Sequence, residues 1–147
     1  MLTKTILIWA AILLTVFIST GNCRLTEKQV AAAVKLVRNM CMGKSKVNPE
    51  DIEKMHQGNW DVDYEAQCYM WCGFNMYKML DKENHFDKKS ALQQMEQLPI
   101  DLQDYVIKCM GQCENAGELT NFDDKCVVAF EYSKCLYFCD PEKYFLP

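Results

Sequence analysis

The chain carries nine cysteines, and six of them, Cys41, Cys68, Cys72, Cys113, Cys126 and Cys135, are separated by 26, 3, 40, 12 and 8 residues. Thiols at such spacings support two chemistries, metal ligation and disulfide formation. Cys68 and Cys72 lie four positions apart, so on a helix both side chains leave one face, a turn apart. Each then clamps a different neighbour rather than its companion. A structural zinc site tolerates the same spacing but needs free thiolates. The compartment decides between the two, and the first residues of the chain indicate which compartment it is.

Lys4 precedes an uncharged run from Ile6 to Ile18, and Ser19, Thr20 and Gly21 follow it. A charged start, an apolar middle and a small-residue exit describe a cleaved signal peptide spanning residues 1–23, or 1–21 if cleavage follows Gly21. Removal of Cys23 leaves an even set of eight cysteines, which a secreted, extracellular protein in an oxidising medium pairs completely. No metal and no cofactor are therefore expected. A membrane anchor needs about 20 apolar residues, and no later segment approaches that length.

Residues 24–147 then form one domain. The formal charge of −4 becomes −5 once Lys4 is lost, and no dense Lys/Arg cluster exists. Such a surface excludes nucleic acid, whose phosphates demand a basic partner, and also stable membrane insertion. Catalysis has no support either. There is no Ser/His/Asp constellation, and His85-Phe86-Asp87 is not the helical His-Asp pair of a calcium-dependent lipase. The protein is not read as an enzyme.

Helix signals supply the elements that hold the cysteines. Thr26 with Gln29 makes a capping box, and Val30, Ala33, Val34, Val37 and Cys41 share one face before Gly43 ends the helix. Asn48-Pro49 opens a short second helix that stops near Gly58. Asp61 or Asp63 opens a third, apolar nearly all round, which runs to about Leu80. Asp87 caps a fourth that ends before Pro99. Asp101 starts a fifth that Gly117 ends, and Asn121 opens a sixth that Asp140-Pro141 terminates. Period-two alternation is absent. The expectation is an all-α domain of six helices stapled by disulfides.

The ladder Cys41, Cys68, Cys72, Cys113, Cys126, Cys135, together with Cys68-Tyr69-Met70-Trp71-Cys72 and Gly58-Asn59-Trp60-Asp61, resembles the insect odorant-binding proteins. The resemblance spans the whole of residues 24–147. It implies the pheromone/odorant-binding protein fold, six helices around an apolar pocket. It also implies first-to-third, second-to-fifth and fourth-to-sixth pairing, hence Cys41–Cys72, Cys68–Cys126 and Cys113–Cys135. Spacing alone does not choose among the more than a hundred pairings of eight cysteines. Cys109 and Cys139 depart from the six-cysteine pattern. Cys109 lies four residues before Cys113 and Cys139 four after Cys135. If the fifth and sixth helices run antiparallel with Cys113 facing Cys135, a fourth bridge, Cys109–Cys139, falls one turn along.

By the resemblance the pocket involves Met70, Phe74, Phe86 and Leu136. Periodicity adds Val37, Tyr77, Leu92, Met95, Leu98, Val106, Met110 and Ala129. Eight methionines follow the signal segment, and their flexible, polarisable side chains suit apolar ligands of varied shape. Tyr77, Tyr105 or Tyr132 would anchor a ligand oxygen. Residues 140–147 form a tail whose Tyr144, Phe145 and Leu146 are apolar for a chain terminus. By the resemblance, a tail of this length closes the pocket as a wall or lid. Of two histidines, His85 beside Phe86 is the better placed for a pH-dependent role than His56.

These readings converge on a secreted carrier of small hydrophobic odorants or pheromones. It would be monomeric or weakly dimeric and would move its ligand through aqueous lymph, the sensillum lymph if olfactory, to an olfactory receptor. A pocket of roughly 300–1,000 Å³ would suit that task. Two alternatives remain: a carrier or scavenger of lipophiles outside olfaction on the same scaffold, and a helical secreted polypeptide recognised by its surface, without a pocket.

Overall fold

The structure, a computed structural model, describes residues 24–117 and 123–147. The expected signal segment at 1–23 and the expected cap Asn121 lie outside the described residues. Six helices follow in order: α1 Glu27–Ser45, α2 Pro49–His56, α3 Tyr64–Met76, α4 Lys88–Met95, α5 Ile100–Cys113 and α6 Lys125–Cys139. Among the described residues there is no strand, only an isolated bridge between Leu80 and Phe86.

Local chemistry explains most helix starts. The Thr26 hydroxyl accepts the Gln29 N–H at 3.3 Å while Thr26 N–H donates to Gln29 Oε1 at 2.8 Å, completing the capping box. Asn48 accepts from Glu50 N–H at 3.1 Å ahead of Pro49, and Asp87 accepts from Ser90 N–H at 3.0 Å. Asp124 accepts the N–H groups of Cys126 and Val127, so α6 begins at Lys125. Pro99 rather than Asp101 stands at the cap of α5, leaving Asp101 in its first turn.

Helix ends depart further from expectation. Gly43 lies inside α1, whose exit is instead Lys46 in the left-handed region at φ 59°. The third helix stops at Met76 rather than near Leu80. Lys78 turns left-handed at φ 53°, and the N–H groups of Met79 and Lys78 bond the carbonyls of Phe74 and Asn75. This pair of bonds is a Schellman closure without glycine. It frees Met79 and Leu80 from the helix.

Four bridges staple the helices: Cys41–Cys72 joins α1 to α3, and Cys68–Cys126 joins α3 to α6. Cys113–Cys135 and Cys109–Cys139 both join α5 to α6, one turn apart. The buried side chains form two clusters. One centres on Phe74, Met95, Tyr105, Val106 and Leu136; the other on Ile52, Met55, Trp60, Tyr69 and Met70. Tyr77 and Tyr144 pack against both and mark the seam.

Candidate functional site: an apolar cavity walled in part by the tail

The apolar stripe of α1 and part of α5 face a common space. Between them lies a cavity of about 220 Å³, with Val30, Ala33 and Val34 on one side and Tyr105 and Val106 on the other. Ala91 and Met95 of α4, Leu98 after it, Leu136 of α6, and Tyr77 and Met79 beyond α3 complete the wall with Phe145 and Leu146 of the tail. Leu25 N–H donates to the Gln97 carbonyl at 2.7 Å, tying the chain entry to the rim. The volume lies below the range expected of a binding pocket. Part of the interior is taken by the tail itself, with Leu146 and Pro147 buried.

The tail is fixed by specific contacts. The Tyr144 and Ser133 hydroxyls are 2.6 Å apart, and Ser133, fully buried, also approaches Met70 Sδ at 3.1 Å. Tyr144 meets Trp60, Tyr137 and His56 edge-on, with centroids 6.3, 5.3 and 5.8 Å away. Phe145 packs edge-on to Tyr105 at 6.2 Å. Pro147 lies against Gly73, where a Cβ would stand 3.2 Å from the proline ring. Val30, Val34, Phe145 and Leu146 form a partition, since their outer sides line an open groove rimmed by Lys35, Arg38, His56 and Lys143.

Of the residues expected from sequence to contact ligand, the structure brings Tyr77, Met95, Leu98, Val106, Leu136, Phe145 and Leu146 to the cavity wall. Phe86 and Met110 line a small adjoining void with Tyr132 and Leu136. Phe74 and Ala129 belong to the first buried cluster without reaching the wall, and Val37 and Met70 to the second. Tyr144 sits in the seam. Leu92 is 39 % exposed on the outside of α4. Sequence reasoning did not assign Val30, Ala33 and Val34 to the site. Their helical stripe was visible, yet periodicity does not tell the part of a stripe that meets a cavity from the part that meets protein.

The polar groups differ sharply in their surroundings. The Tyr105 hydroxyl donates to the Leu136 carbonyl at 2.9 Å, and that of Tyr132 to the Glu114 carbonyl at 3.4 Å. The Tyr77 hydroxyl is buried with no partner among the described residues, a state that costs about 1–3 kcal/mol. Burial pushes its pKa up to about 12, so it is a neutral donor. His56 is held below its ordinary pKa, first by burial and then by the Arg38 charge. His85 instead stands exposed in the loop before α4, 3.4 Å from Asp81. Asp81, Glu83 and His85 cluster there. Asp81 accepts the backbone N–H groups of Glu83 and His85, which accounts for the loop without an ion.

Helices clamped by four bridges around an apolar cavity, with two tail residues in its wall, define a disulfide-stapled helical binding protein. The chain belongs to the PBP/GOBP family, whose model matches residues 24–138. It is 28 % identical over 121 residues to General odorant-binding protein 19a of Drosophila melanogaster, covering 81 % of this chain and 82 % of that protein. Its fold is similar to odorant binding protein 4 of the predator Chrysopa pallens, with a TM-score of 0.77 and 40 % identity over 84 % of this chain and 99 % of the other. It is also similar to Apis mellifera odorant binding protein 5, with a TM-score of 0.75, 26 % identity and the same coverages. Among the described residues no helix is long and apolar enough to cross a membrane.

Proposed function

We propose that this protein is a secreted carrier that takes one small apolar molecule into the cavity between α1, α4, α5 and the tail. In this reading it moves the molecule through an aqueous extracellular fluid, an odorant or pheromone delivered to a receptor being the use its relatives' names favour. One observation supports this above the others: the cavity wall is almost wholly apolar, and tail residues Phe145 and Leu146 form part of it. Burial of apolar ligand surface there contributes about 25 cal/mol per Å². Micromolar binding, about −8 kcal/mol, suffices for a carrier in excess. A volume of about 220 Å³ favours ligands of roughly ten heavy atoms or fewer unless the tail shifts. Selectivity within a homologous series is then shallow, because one methylene discriminates by about 1–3 kcal/mol.

The test is displacement of a fluorescent apolar probe from fully oxidised residues 24–147 by alcohols, esters, aldehydes and fatty acids. Micromolar displacement by several of them is the expected result. A folded, thiol-free sample that takes up no probe would favour recognition through the surface instead.

A further inference from the structure

Outside the partition of Val30, Val34, Phe145 and Leu146, the open groove holds about 690 Å³, against about 220 Å³ for the cavity. Ala31 and Leu102 extend those four side chains into an apolar floor. The charged residues of the groove are sorted by end. Glu27 and Asp101 stand in the first turns of α1 and α5. The bond from Leu25 N–H to the Gln97 carbonyl draws those two helix starts together. Lys35 and Arg38 follow two and three turns along α1, Arg38 about 16 Å beyond Glu27 in helical rise. Arg38 is paired with Glu53 of α2, and Lys143 precedes Tyr144, whose ring meets His56 of α2. Arg38, Lys143 and His56 therefore gather at the second end.

An apolar floor with cations at one end and carboxylates at the other is complementary to an amphiphile with one anionic head. We propose that the groove is a second binding site, separate from the cavity, for a single-chain fatty acid. Its chain lies along Val30, Ala31 and Val34, and its carboxylate among Lys35, Arg38 and Lys143. Lys35 and Lys143 have no ion-pair partner among the described residues. Arg38 gives one guanidinium nitrogen to Glu53 and keeps further N–H donors. Glu27 and Asp101 set the direction of the chain, because they repel a carboxylate at their own end. The groove volume falls within the roughly 300–1,000 Å³ of small-molecule sites. A neutral alcohol of equal length gains similar apolar burial but no charge contact. The site stands apart from the carrier reading, since it lies on the outer side of the partition.

Calorimetric titration of decanoate and of decanol into fully oxidised residues 24–147 tests this at neutral pH. Decanoate should bind the wild type, and the double variant Lys35→Gln/Lys143→Gln about 3–10-fold more weakly. Decanol should change by no more than about twofold, and added salt should weaken decanoate alone. Ala31 is exposed and lines the groove but not the cavity. Ala31→Glu should therefore weaken decanoate by about tenfold or more and leave uptake of an apolar probe by the cavity unchanged. No decanoate binding, equal losses for both ligands in the lysine variant, or full decanoate affinity in Ala31→Glu would each overturn the proposal. A wild type that binds decanoate in this pattern yet takes up no apolar probe would remove the cavity reading and leave the groove site standing.

Discussion

The hydroxyls of Tyr144 and Ser133 stand 2.6 Å apart, joining the tail to the inner face of α6 at the seam between the two buried clusters. Ser133 is wholly buried, so its hydroxyl has no recourse to water. Replacing Tyr144 by Phe leaves it with Met70 Sδ, a weak acceptor. Thermal melts of Tyr144→Phe should show a loss of about 1–2 kcal/mol, a few degrees in melting temperature. An unchanged melting temperature would mean that the tail contributes nothing through this bond.

Leu146 faces the cavity and is 5 % exposed. Leu146→Ala should lower stability by about 2–5 kcal/mol and enlarge the cavity. In a series of straight-chain alcohols, the best displacer of an apolar probe should become longer than for the wild type. Identical ranking of the series by both proteins would show that the tail does not set ligand length.

The bridge Cys109–Cys139 closes a sequence separation of 30 residues. Changing both cysteines to Ser should cost about 3–4 kcal/mol, mainly by freeing the unfolded chain. Denaturant unfolding of the double variant measures this. In the wild type a thiol titration should find no free cysteine in residues 24–147.

His56 contributes a pH dependence whose direction follows from its surroundings. Burial and Arg38 depress its folded pKa below the ordinary 6.5, so below about that pH the unfolded chain binds a proton that the folded chain refuses. Stability from this group is complete above the unfolded pKa and declines as pH falls beneath it. Unfolding free energies at pH 7.5 and 5.5 should therefore differ more for wild type than for His56→Gln. Equal differences would show that His56 carries none of the pH response.

Sequence made the helix starts legible where the cap is local. Thr26, Asn48 and Asp87 each bond an N–H two or three residues ahead, and such pairs need no knowledge of the fold. The end of α3 was not legible, because Lys78 in the left-handed region carries no glycine to announce it. In the site, Met95, Val106 and Leu136 were readable from helical spacing or family resemblance, and the structure sets them in the cavity wall. Leu92 had the same credentials yet sits on the outer side of a two-turn helix. Pro147 against Gly73 was beyond reach, since that contact joins residues far apart in sequence.

The two bridges one turn apart between α5 and α6 bear on how the protein matures. Before oxidation, Cys109 and Cys113 present two thiols to two others, Cys135 and Cys139, along facing helices. A slip of one helical turn, about 5.4 Å, sets Cys109 against Cys135 and strands the remaining pair. Should that slipped pairing form, thiol–disulfide exchange, over about seconds to hours, is what restores the register. The rate at which this one helical hairpin is reshuffled would then limit the yield of molecules with all four bridges correctly paired.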